Sequence, residues 1–407
     1  MGILLIVLAL LIFYKRKFNS HQLSPSHFIV LCYIGLLVLS FVFTVFLKME
    51  TPEYHFFSLI YFLLCLFALF IPLVKHHGRC ADFRVDDRFM VFISYIIVFG
   101  GLINIYYNLS NHSIAEIAMD FGAARAEYYA NTDGTGIATK LVDRIAINLF
   151  PLMAFALPLS LYNLVNKRKC MAVLLFIASL SYITNSLVIA SRQELFLWVG
   201  SAVIAFLMYK DYLPSKATKI ITLLFSSIII VVGIVIGIIT FSRFSDRAFE
   251  SLFGYAGVQP FNSAYFLENL SSQCRWGQVN FSTYLGRPYI YQLNEVFNSA
   301  EYLNVFGTVV GSLYLDFGYF TVVFAFLFAN VINKILSYFA SIGSFLYYYT
   351  YVLYANFMFA GIFYNRYQTP SMMKPLLAVG VCLLLYEIFL RRKKNYINSP
   401  RTNQITN

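Results

Sequence analysis

Charge is scarce in this chain. Only 12% of its 407 residues are Asp, Glu, Lys or Arg and 59% are hydrophobic, where an ordinary soluble domain is roughly a quarter charged, so a water-soluble globular fold is excluded. Cysteine supplies no scaffold: Cys32, Cys65 and Cys382 fall in apolar runs, Cys80 and Cys170 in basic connections and Cys274 in a polar stretch, with no pairing or metal-ligand spacing. The six histidines form no set with Cys or Asp, so neither a metal nor a cofactor is expected. No serine sits in a nucleophile elbow, which leaves a Ser-His-Asp hydrolase unsupported. A secretory signal is also missing, because Lys15-Arg16-Lys17 follows the apolar Met1–Tyr14 run instead of preceding it. There is no internal repeat and no low-complexity tract.

What the chain has is aromatic and apolar length. Its 42 Phe and 31 Tyr suit spans that hold large rings against lipid and against each other. After Met1–Tyr14, apolar runs follow at His27–Leu47, His55–Val74, Phe89–Asn108, Arg144–Asn163, Met171–Ala190, Leu195–Tyr209 and Ile220–Phe241. Three more come near Tyr319–Asn333, Ser344–Phe363 and Ser371–Leu390. The expected fold is all-α: a polytopic integral membrane protein with about eleven transmembrane helices. Met1–Tyr14 is the shortest of them, reaching about 21 Å at 1.5 Å per residue against a core of ~30 Å.

Basic residues orient the chain, since Lys and Arg near span ends are retained on the cytoplasmic side. Lys15-Arg16-Lys17, the Lys75–Arg88 connection, Lys167-Arg168-Lys169, Lys210–Lys219, Lys334 and Arg391-Arg392-Lys393-Lys394 all fall on one side if every run crosses. That side then holds 8 Arg and 11 Lys, and the other 8 Arg and 3 Lys. An outer surface that keeps arginine while excluding lysine points to forked recognition of phosphate or carboxylate. The net charge of +11 thus follows membrane topology, and nucleic acid is not an expected partner.

Four regions result: a membrane region over 1–241 with an outward loop at 109–143, a large outward loop over 242–302, a second membrane region over 303–390 and a cytoplasmic tail over 391–407. The long loop opens with Phe241-Ser242-Arg243-Phe244-Ser245-Asp246-Arg247. If helical, its spacing of four sets Arg243 and Arg247 on one face, either as a grip for a lipid diphosphate or as an interfacial anchor. The hairpin Ser191-Arg192-Gln193-Glu194 leaves almost no connection, placing Arg192 and Glu194 near headgroup depth, where charge is costly and tends to be functional. The alternative there is a snorkelling Arg192 paired with its neighbour Glu194. Arg366 lies in the outward Tyr364–Pro370 connection and is a candidate for diphosphate or sugar, as are Arg247, Arg287, Tyr289 and His112. The stretch from Leu303 to Asn333 is too long for one span, so Leu303–Leu315 is read as an interfacial or re-entrant helix and Asp316-Phe317-Gly318 as its turn.

Both large outward loops carry an arginine followed eleven residues later by glycine, Arg125 with Gly136 and Arg243 with Gly254. Together with the span pattern, the late dominant loop, the Ser191–Glu194 hairpin and the Asn304-Val305-Phe306 to Asp316-Phe317-Gly318 stretch, this resembles the O-antigen polymerase (Wzy-type) family. The resemblance implies a glycosyltransferase-C-like membrane architecture with a large periplasmic loop, in the bacterial inner membrane. It also implies transfer of a growing glycan from undecaprenyl diphosphate to a new lipid-linked repeat unit at the periplasmic face. The implied partners are lipid-linked oligosaccharides as donor and acceptor and the bilayer, with a chain-length regulator as a further candidate. Arg243, Arg192 and Arg125 would carry the diphosphate, and Glu194, Asp316, Glu127 and His112 are candidates for the base that takes the acceptor proton. Two alternatives stand beside it. An O-antigen ligase would be expected to carry a histidine in the large loop, and none occurs over 242–302. A flippase needs charge within its spans, which here are nearly clean apart from Glu387.

Overall fold

The computed structural model describes residues 2–18, 23–45, 55–78, 87–111, 141–188, 192–244, 257–269, 276–278, 280–281, 307–341, 344–368 and 370–398. Among the described residues there are sixteen α-helices and no strand: α1 Gly2–Lys17, α2 Pro25–Val45, α3 Phe56–Leu69, α4 Ile71–Lys75, α5 Asp87–Asn111, α6 Leu141–Leu149, α7 Ala156–Val165, α8 Lys169–Ser179, α9 Ser181–Val188, α10 Arg192–Tyr209, α11 Ser215–Phe244, α12 Gln259–Asn269, α13 Val309–Phe317, α14 Thr321–Ser341, α15 Phe345–Ala360 and α16 Pro370–Asn398. Eight helical stretches among the described residues are long and apolar enough to cross a membrane. The all-helical, polytopic class expected from composition therefore holds. The expected count of eleven is not reached on length: α1 and α15 have 16 residues each, and α3 has 14 before a turn at Phe70.

The bundle is organised around α10 and α15. Gly200 lets the two approach so closely that an added Cβ would lie 1.9 Å from the Phe359 ring. Across the same contact Ser201 Oγ donates to Asn356 Oδ1 at 2.7 Å, which satisfies two buried polar groups that water cannot reach. Trp198, fully buried, donates from its indole to Ser179 Oγ at 3.1 Å. The outermost helices have the opposite character: α11 turns Leu223, Ile230 and Ile234 outward, as α16 does Leu385 and Phe389. Such a surface is stable only against hydrocarbon.

Two apolar runs are broken near one end of the bundle, and the breaks shape the site. Pro151 cannot donate a backbone hydrogen bond, and the Arg144–Val165 stretch passes through a 3-10 turn at Phe150–Phe155 between α6 and α7. A turn at Leu180 separates α8 from α9. The break between α13 and α14 falls where the sequence placed a turn: Gly318 sits at φ 52°, ψ −136° and opens a 3-10 turn over Gly318–Phe320, a conformation essentially reserved for glycine.

The two ends of the bundle differ in chemistry. At one end Lys210 Nζ donates to the Leu23 carbonyl at 2.8 Å, Ser26 Oγ donates to the His76 carbonyl at 2.8 Å, and α1 ends in Lys15, Arg16 and Lys17. The other end holds arginines, carboxylates and amides.

Candidate functional site

The first turn of α10 carries Arg192 and Glu194, and the connection between α15 and α16 carries Arg366. Arg366 Nη2 donates to Glu194 Oε2 at 2.7 Å, an ion pair bridging positions 172 apart in sequence. Both side chains are nearly sealed from solvent, at 7% and 11% exposure. The guanidinium lies 4.9 Å from the centre of the Tyr182 ring on α9 and 5.8 Å from that of Phe150 in the proline-broken turn, so two helix breaks supply the faces on which the cation stacks. Burial by itself would lower the Arg366 guanidinium, but Glu194 and then Tyr182, Tyr367 and Tyr364 turn the net shift upward. Burial pushes the Tyr367 hydroxyl up, with Tyr182 adding to it. Glu194 thus helps hold Arg366 as the guanidinium.

Arg192 is also buried, and its Nη1 donates to Thr240 Oγ1 of α11 at 3.1 Å. The Glu194 carboxylate reaches across the bundle to Arg366. Backbone helix continues beyond the apolar run to Phe244, which sets Arg243 three residues past Thr240 on α11. Gln193 Nε2 donates to the Tyr364 hydroxyl, tying the α10 start to the same connection.

A second cluster adjoins the first through residue 365. Asp316 at the end of α13 is fully buried, and its Oδ2 accepts from the Asn280 amide nitrogen at 2.6 Å and from Asn280 Nδ2 at 2.7 Å. Asn365 Nδ2 donates to Asn280 Oδ1 at 2.9 Å, while the Asn365 amide donates to Ser312 Oγ at 3.1 Å. Asp316 therefore anchors the 276–281 segment to α13, with Trp276 N also donating to its carbonyl at 3.0 Å. A carboxylate oxygen already taking two donors is poorly placed to collect a substrate proton.

Of the residues singled out from the sequence, Arg192, Glu194 and Arg366 meet at one end of the bundle, and Asp316 belongs to the adjoining amide cluster. Arg125, Arg247, Arg287, Tyr289 and His112 lie outside the described residues, as does the side chain of Arg243. Asn280, Asn365, Tyr182 and Tyr364 were missed. Asn365 and Tyr364 stand beside Arg366, so adjacency was the available signal; Asn280 and Tyr182 carry none. Among the described residues no group of His, Cys, Asp and Glu is arranged to hold a metal ion. No family model matches this chain, and no curated protein or solved structure does either.

Proposed function

We propose that this chain is a membrane glycosyltransferase of the O-antigen polymerase type, joining undecaprenyl diphosphate-linked oligosaccharide units at the periplasmic face of the bacterial inner membrane. The observation that carries this reading is the buried Glu194–Arg366 pair with Arg192 on the same helix turn, at the end of an apolar bundle opposite its lysine-bearing end. An ion pair taken out of water seldom adds stability over apolar packing, and charge within membrane helices usually serves a substrate.

In the proposed reaction a lipid diphosphate competes with Glu194 for Arg366, and Arg192 and Arg243 complete its surroundings. The bond from the sugar's anomeric carbon to the diphosphate oxygen breaks, and the electron pair leaves with the diphosphate. A hydroxyl of the acceptor unit forms the new bond to that carbon, and its proton passes to the carboxylate that Arg366 has released. Each charge-assisted contact is worth ~1.5 to 3 kcal/mol. Three arginines supply roughly 4 to 9 kcal/mol where they act only in the transition state, comparable with the ~8 kcal/mol of a millionfold acceleration.

The test is a glycan ladder from cells whose only copy carries Arg366→Ala, Arg192→Ala or Glu194→Gln. Long chains should disappear while single capped repeat units persist. Ladders of normal length in all three variants would sink the reading, and loss of the single capped unit would point instead to a ligase or a flippase.

A further inference from the structure

Between α14, α15 and α16 lies a crevice of about 590 Å³, within the size range of small-molecule sites. Its walls include Phe324 and Phe328 of α14, Leu353 of α15, and Gly380, Val381 and Leu384 of α16. Along α16 the lining runs from Met373 to Leu384, about 16 Å at 1.5 Å per residue, or half of a ~30 Å hydrocarbon core. The crevice is thus about as long as one leaflet is thick.

Its two ends differ. Asn365 and Tyr367 line the end at the candidate site, one residue to either side of the buried Arg366. Lys374, exposed and without an ion-pair partner among the described residues, follows Met373 at that mouth and lies one helical turn from Leu377 of the lining. Elsewhere polar atoms are turned away: the Tyr349 hydroxyl donates to the Leu376 carbonyl and the Tyr354 hydroxyl to that of Leu69.

The walls are set in advance. Phe324 stacks on Phe317 at 3.8 Å, Phe328 lies 5.8 Å from Phe357, and Tyr349 stacks on Phe155 at 4.9 Å. Gly380 adds no side chain, and a Cβ there would first meet Tyr349 at 3.3 Å. Val381 and Leu384 are 53% and 42% exposed at the lip, so the crevice opens on the apolar outer face of α16.

We propose that this crevice holds the polyprenyl chain of the lipid-linked substrate, with the chain's phosphate end at Asn365 between Arg366 and Lys374. The assignment rests on the glycosyltransferase reading for the identity of the lipid. The crevice itself asks for a molecule with one long hydrocarbon part, and the exposed Lys374 next to Met373 of the lining, with Arg366 between the lining residues Asn365 and Tyr367, matches an anionic end. Phospholipid acyl chains are the competing occupant.

The test is direct binding of radiolabelled undecaprenyl phosphate to the purified full-length chain in detergent. Val381→Trp and Leu384→Trp put bulk at the lip, and Leu385→Trp, on the same helix at 60% exposure and outside the lining, is the control. Affinity should fall at least tenfold in the first two and stay unchanged in the third, and dioleoylphosphatidylglycerol should compete only in more than hundredfold excess. Equal competition by the phospholipid, or unchanged binding in both lip variants, would overturn the assignment. Binding is read without turnover, so a failure here is distinct from a failure of the ladder test: normal polymerisation with no crevice-dependent binding removes the crevice alone.

Discussion

Glu194 and Arg366 each need the other to remain charged where they are buried. Removing one partner leaves an unpaired charge out of water and costs about 3 to 5 kcal/mol, whereas replacing both by apolar groups is often neutral. Glu194→Gln and Arg366→Ala should each lower unfolding stability in detergent by that amount. The double change Glu194→Leu with Arg366→Met should recover most of it while forming no long glycan. A double variant as unstable as either single one would show that the pair's environment, not its charge balance, sets the cost. These residues were legible in the sequence because an ionised side chain beside an apolar run stands out. Asn280 and Asn365 were not, since a neutral amide in a connection is ordinary until its partner 85 positions away is known. At the opposite end burial lowers the His76 imidazole from its ordinary 6.5, with Lys75 and His77 adding to it. The folded protein then binds fewer protons here than the unfolded chain, so the contribution of His76 is complete above 6.5 and is lost as pH falls through the lowered value. Thermal unfolding followed from pH 8 to pH 5 should show this decline, flattened in His76→Asn.

Two carboxylates tie α12 and the residues around Asn280 to the rest of the bundle. Glu268 on α12 accepts from the His55 backbone amide and from Ser58 Oγ at 2.6 Å, capping the start of α3, whose own N-cap residue His55 makes no side-chain cap bond. Asp316 does the equivalent for the 276–281 segment. With Asn280→Ala the Asp316 oxygen loses a donor while buried, at about 1 to 3 kcal/mol. Amide exchange of Phe281, whose amide donates to the Gly277 carbonyl at 2.8 Å, should accelerate roughly tenfold to a hundredfold. Exchange unchanged in that variant would mean that the segment is held by its aromatic contacts. At this scale the sequence was readable where periodicity ended on a strong breaker, as at Gly318. It was unreadable where a helix was broken inside an apolar run, as at Leu180, because the run's hydropathy passes through the break without change. The same limit made the apolar run Ser344–Phe363 look longer than the 16-residue helix it forms.

Over the whole molecule, chemistry divides between the two ends in a way that local packing does not require. Lys210 and the last turn of α1 lie at one end; Arg192, Glu194 and Arg366 lie at the other, where Asn365, next to Arg366, joins the Asp316 cluster and lines the crevice. Retention of lysine on the cytoplasmic side would orient the bundle with the site outward, and a bulky hydrophilic donor and acceptor could then be reached without crossing the membrane. Orientation is therefore a condition of the proposed chemistry and can be tested apart from it. A phosphatase reporter fused after residue 270 should be active, because it would be exported, and the same reporter fused after Lys167 should be inactive. A reporter active only in the cytoplasm should give the reverse pair. If the residue 270 fusion behaves as cytoplasmic, Arg192 and Arg366 face the wrong compartment for a periplasmic transfer, and the polymerase reading fails even if every arginine variant loses its ladder.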